Sequence, residues 1–196
     1  MKKMLFYIFI FVTMAFTSSK TETTSVIIAP SSKIVIKGKT NVNSFDCQYN
    51  VLNLKEPIPV NFKVYNNKLI FKNTILVLES SAFDCGGPGI NTDFKKILQS
   101  KTYPQIFITL QEISIDPKNK SLVNAQINLE IAGITKPYSV PVKLDGEDAL
   151  IIEGVLSLNI RDFNLHPPKK ALGLIVVKDT IDISFYLKAQ EYSKVH

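Results

Sequence analysis

Apolar and polar residues alternate with a period of two along most of this chain. The pattern is cleanest around one turn. Ile127, Leu129 and Ile131 alternate with Asn128, Glu130 and Ala132. Beyond Gly133-Ile134-Thr135-Lys136-Pro137, the residues Tyr138, Val140, Val142 and Leu144 alternate with Ser139, Pro141, Lys143 and Asp145. Successive side chains of a strand point to opposite faces, so one apolar phase marks a strand with a single face on a core. Two such strands around a short turn form a hairpin.

The same reading predicts strands over Ile34–Val42, Val60–Tyr65, Leu69–Phe71, Ile75–Leu78, Ile106–Ile113, Leu122–Ile131, Tyr138–Leu144, Leu150–Ile160 and Thr180–Ala189. Asn66-Asn67 predicts a tight hairpin turn, because Asn tolerates positive φ. One helix is expected over Asn91–Ser100. Asn91 is read as its cap, Asp93 stands in the first turn, and Phe94, Ile97 and Leu98 fall at i, i+3 and i+4. The cluster Gly86-Gly87-Pro88-Gly89 reads as a sharp connection. It lacks the following Lys-Ser/Thr of a phosphate loop.

About ten short strands and one helix argue an all-β domain, an antiparallel barrel or sandwich. A barrel of about eight strands leaves room for packed side chains or for one elongated ligand. Its candidate lining is the apolar phase: Ile36, Val64, Phe71, Ile108, Leu129, Ile131, Val140, Leu158 and Phe185. That phase has few polar atoms to orient a hydrophilic substrate and suits a hydrocarbon chain. The pattern is equally met by a filled core without ligand.

The N-terminus stands apart. Lys2 and Lys3 precede the apolar run Met4–Phe16, and Thr17-Ser18-Ser19 follows, the layout of a secretory signal peptide over residues 1–19. Thirteen helical residues reach about 20 Å, short of a bilayer core of about 30 Å. Residues 20–32 read as a polar N-terminal tail, and 33–190 as the domain. Export places the protein in the periplasm or outside the cell.

Lys2 and Lys3 also account for part of the net charge of +6, which falls to +4 without them. The remaining lysines are dispersed and Arg161 is the single arginine. That is a solvated surface rather than a nucleic-acid interface, which concentrates Arg and Lys on one face. Cys47 and Cys85 are the only cysteines, and in an exported protein an even pair reads as a disulfide; two buried free thiols are the alternative. Without a nearby His pair they do not supply a tetrahedral zinc shell. His166, in a loop before Pro167, and His196, the last residue, have no catalytic motif around them. Asp84 and Asp93 read as turn and helix carboxylates. No catalytic residue, metal or cofactor is assigned.

Four segments, in order, resemble the polyisoprenoid-binding YceI-like family. Lys101-Thr102-Tyr103-Pro104 before Ile106-Phe107 is similar to its Lys-Tyr-Pro lead into a strand. Gly133-Ile134-Thr135-Lys136-Pro137 resembles its Gly-x-Thr-Lys-Pro turn. Asp162-Phe163 follows a long strand as in the family, and Asp179-Thr180-Ile181-Asp182-Ile183 resembles the closing strand. Arg161 stands one place from the family's usual arginine. The resemblance spans roughly Ile34 to Ala189. It implies a lipocalin-like barrel that is exported and holds an isoprenoid or similar long apolar lipid; with no catalytic motif the protein reads as a non-enzymatic binder, open to transient membrane contact. The alternative is an exported β-module that binds a surface glycan or a protein; the absence of Trp and the scatter of the seven Tyr provide no evident sugar platform.

Overall fold

The computed structural model describes residues 21–116, 119–146, 149–167 and 176–192. The segment 1–19, read above as a signal peptide, lies outside them. The described chain forms one antiparallel sheet: β1 (Thr21–Ile28), β2 (Lys33–Lys39), β3 (Ser44–Tyr49), β4 (Ile58–Tyr65), β5 (Lys68–Glu79), β6 (Phe83–Asp84), β7 (Gln105–Asp116), β8 (Asn119–Ile131), β9 (Ile134–Asp145), β10 (Leu150–Asn159) and β11 (Thr180–Glu191). Among the described residues there is one α-helix, α1, over Pro88–Ile97.

Eight strands close a ring in the order β1-β4-β5-β7-β8-β9-β10-β11, and β11 returns to β1. The remaining three, β2-β3-β6, branch from β11. The fork lies within one strand: Asp182–Tyr186 pairs with β2, while Ala189–Glu191 pairs with β1. β1 and β2 thus run along β11 as one interrupted strand. Across the break the Ala29 amide donates to the Lys188 carbonyl (2.8 Å), and the Lys188 amide donates to Ser32 Oγ (2.9 Å). The result is the lipocalin-like barrel.

Three sequence expectations are corrected. Residues 21–28 are not a tail. Their run of Thr, Val and Ile suits an extended backbone, and β4 and β11 supply hydrogen-bond partners on both sides. β3 and β6 are further strands that the sequence reading lacked. The helix begins at Pro88, whose missing N–H costs nothing in a first turn, and ends at Ile97. Asn91 is therefore not its cap. It sits one turn inside, where Oδ1 accepts from the Cys85 amide (2.6 Å) and Nδ2 donates to Asp84 Oδ1 (2.9 Å). The Asp84 carboxyl is held below its ordinary range by Asn91 and then by the Gly86 amide.

Two bulges change which residues face inward. In β5 the register shifts between Ile70 and Thr74, with Asn73 at φ 56°. In β7 it shifts between Leu110 and Glu112. Each extra residue reverses the phase: Leu69 and Phe71 give way to Thr74, Leu76 and Leu78, and Leu110 to Ile113. Bulges of this kind let a twisted sheet bend into closure.

Cys47 on β3 and Cys85, just before α1, are joined by a disulfide. The pair ties the branch to the segment that launches the helix. Beside it Phe83 contacts Tyr49 on one side and Phe94 of α1 on the other, with ring centroids 5.0 and 5.3 Å apart. Helix α1, the Ala132-Gly133 turn and a short 3-10 turn, Ile160–Phe163, mark one end of the barrel. The hairpin turn at Asn66-Asn67 and the far ends of β7, β9 and β11 mark the other.

Candidate functional site: an apolar cavity

The inward phase of the ring encloses a cavity of about 890 Å³. Its wall is built from strand positions two residues apart: Val26 and Ile28 on β1, Ile181, Ile183, Phe185 and Leu187 on β11, and Val123, Ala125, Ile127, Leu129 and Ile131 on β8. α1 covers the helix end with Ile90, Phe94 and Ile97, spaced i, i+4 and i+7 on one helical face. The polar lining residues are few, and several of their hydroxyls are occupied. Thr24 donates to Glu191 Oε1 (2.8 Å), Thr40 donates to the Asn43 carbonyl (2.9 Å), and Thr74 Oγ1 accepts from the Asn61 amide (3.4 Å). Asp93, on α1, is the one carboxylate of the lining.

Burial shows that the barrel is hollow. Leu129, Val140 and Val142 are buried against neighbouring side chains. Phe71, Ile108, Ile183 and Phe185, on the same inner surface, are only half-buried. In a filled barrel these aliphatic and aromatic groups would meet side chains from the opposite wall. Here they face the cavity.

Seven of the nine sequence candidates line it: Ile36, Phe71, Ile108, Leu129, Ile131, Val140 and Phe185. Two do not. Val64 is 54% exposed. It shares the phase of Phe62 but lies two residues before the Asn66 turn, where the β4-β5 hairpin runs past the rim. Leu158 is buried among the packed residues of the helix end, in the same core as Ile160, Phe163 and Leu165, and is not part of the cavity wall. The reading also missed the cavity residues of β1, β3 and α1. A signal existed for them: Phe45 and Cys47 alternate with Asp46 and Gln48, and Ile90-Phe94-Ile97 carries helical spacing.

The motif residues behind the family resemblance gather at the helix end, where they serve as fastenings. Gly133, at φ 76°, leaves room for the Tyr103 ring; a Cβ there would stand 2.7 Å from Tyr103 Cε1. Tyr138 stacks on Phe163 with centroids 6.2 Å apart, and its hydroxyl donates to Asp162 Oδ2 (3.4 Å). Burial, and then the Asp162 charge, raise the Tyr138 pKa. Arg161 Nε donates to Asp179 Oδ1 (2.9 Å), and its guanidinium also meets His166 Nδ1. His166 therefore belongs to a surface polar cluster. Among the described residues no three His, Cys, Asp or Glu side chains converge as a metal site.

Known proteins place this architecture. The BcnA protein of Burkholderia cenocepacia superposes with a TM-score of 0.63 at 22% identity, covering 81% of this chain and 96% of that one. A polyisoprenoid-binding domain from Saccharophagus degradans, implicated in plant cell wall breakdown, gives 0.62 at 12% identity, covering 86% and 99%. The YCEI protein of Campylobacter jejuni gives 0.50 at 13%, covering 63% and 74%. At these identities the likeness is one of fold. No curated protein sequence matches the chain. The family model described as the YceI-like domain matches residues 72–189. The chain is a member of the YceI-like domain family.

Proposed function

We propose that the protein is an exported, non-enzymatic carrier that holds one long apolar lipid, an isoprenoid or similar chain, within the barrel. The observation that carries this reading is the half-buried inner wall: hydrocarbon side chains that face an 890 Å³ cavity instead of each other. A water molecule occupies about 30 Å³ of liquid, and a methylene takes up a similar space. The cavity therefore accommodates on the order of 30 methylenes at most. Transfer of each from water contributes about 0.8 kcal/mol before association costs. The polyisoprenoid-binding relative from Saccharophagus degradans supports the ligand class. The disulfide supports an oxidising compartment, and no helix of the described residues is long and apolar enough to cross a membrane.

Native mass spectrometry with solvent extraction of the purified protein tests the reading. The expected result is a co-purifying lipid, and prenols or long acyl chains that raise the melting temperature of delipidated protein. If neither lipid nor thermal shift is found, the carrier reading fails and the glycan or protein-partner alternative takes its place.

A further inference from the structure

The rim at the helix end carries an exposed apolar tip. Val42 is the most exposed large hydrophobic residue described, at 69%, and Val176 is 48% exposed. The two are neighbours. The Asn41 amide donates to the Val176 carbonyl (3.1 Å), the Val176 amide donates to Asn41 Oδ1 (3.0 Å), and Thr40 bridges Val177. The turn is also rigidly tied. Thr40 Oγ1 accepts the amides of Val42 (3.2 Å) and Asn43 (2.8 Å) while donating to the Asn43 carbonyl. Val42 is thus held in solvent by a well-bonded turn, not left there by a slack loop. Thr40 and Val177 line the cavity, so this turn belongs to its wall at the helix end.

Lysines flank the two valines. Lys39 and Lys178 are exposed beside the two valines, joined through the Lys178 amide and the Lys39 carbonyl (2.8 Å). Exposed Lys95 and Lys96 lie on α1, which borders the same end. The nearby Arg161 is matched by Asp179, and Lys37 stands opposite Asp46 in the β2-β3 register; Asp84, Asp93 and Asp162 are the further carboxylates of this end. The hairpin end also exposes apolar groups, Val64, Tyr65 and Leu122 among them; its Lys68 is ion-paired to Glu112 at 2.8 Å, and Lys63 and Lys143 are exposed there too. Asp145 and Glu191 end two of its strands.

We propose that the helix-end rim docks on an anionic lipid bilayer. Val42 and Val176 enter the interface, and Lys39, Lys178, Lys95 and Lys96 meet the headgroups, which sets the α1-covered end of the barrel against the bilayer. Interfacial binding of this kind combines buried apolar area with attraction of basic side chains to acidic lipid. Docking stands independently of the cargo; its use as a loading step rests on the carrier reading above.

The sequence contains no tryptophan, so Val42→Trp supplies a single fluorescent reporter, and Val64→Trp reports the opposite end. Vesicles of phosphatidylcholine with phosphatidylglycerol are the probe. Docking predicts a blue shift and quenching by brominated lipid for Val42→Trp, and neither for Val64→Trp. Vesicle affinity should fall roughly fivefold at low salt for each of Lys39→Gln and Lys178→Gln. A response from Val64→Trp alone, or no co-sedimentation of the unmodified protein with anionic vesicles, overturns the proposal. Anionic-vesicle binding by protein from which no lipid can be extracted or reloaded would overturn the cargo reading and uphold docking.

Discussion

Gly154 on β10 lies directly opposite Phe185 on β11, and a Cβ at Gly154 would stand 2.6 Å from the ring's Cζ. The glycine is the space the ring occupies. Gly38 does the same for Phe45, its partner across β2 and β3. In both cases an aromatic side chain covers a bare stretch of backbone.

Gly154→Ala therefore displaces Phe185 toward the cavity. Overpacking of this kind costs about 1–3 kcal/mol. Phe185→Leu in the same chain should recover most of it. A double-mutant cycle by urea denaturation checks the coupling, and additive effects would show that the two side chains do not compete for space.

Leu129 is 1% exposed and sits on the cavity wall. Leu129→Ala should cost about 2–5 kcal/mol of stability and move lipid preference toward longer or bulkier chains. Competition between acyl chains or prenols of different length, on folded variant, reads out the second effect. An unchanged preference would remove Leu129 from the ligand surface.

The Cys47–Cys85 disulfide closes a loop with a sequence separation of 38. In the chain-entropy model its loss costs about 3–4 kcal/mol. Melting of the Cys47→Ala/Cys85→Ala variant should show that drop, and intact mass with alkylation should show no free thiol in unreduced wild type. α1 is expected to exchange its amides faster in the variant, because Cys85 anchors the helix entry.

Tyr49 and Tyr138 both have pKa values raised above the ordinary tyrosine value, chiefly by burial. A raised folded-state value means that the folded form holds the proton more tightly. Their contribution is complete below about pH 10, the unfolded value, and is lost as pH rises through the folded values. Tyr138→Phe should flatten part of the alkaline limb of a stability–pH curve. An unaltered limb would assign that loss to other groups.

The β8-β9 hairpin was legible because both strands keep one phase from end to end, from Val123 to Ile131 and from Tyr138 to Leu144. β5 and β7 were less legible. Their bulges reverse phase in mid-strand, so Phe71 and Leu76 both face inward although one position is odd and the other even. β1 was hidden by its polar composition, since Thr21–Ser25 is ordered by its partner β4 rather than by its own hydrophobicity. Val64 was misplaced because periodicity gives a side chain's phase and not where the rim falls. Whether the barrel was hollow lay beyond the pattern altogether. It depends on the distance between opposite walls, and alternation is the same for packed and open interiors.

The pairing of β1 with β11 has a consequence for how the molecule is made. Val26 lies beside Glu191, so the ring is closed by strands far apart in sequence. Contacts so distant in sequence form late and slow folding. Until β11 is available, β1 and β10 each present an unpaired edge, which invites pairing with other chains. A nascent chain that stops before Thr180 thus has every described strand but β11 and no barrel. Closure, and with it any enclosed volume, awaits the synthesis of β11.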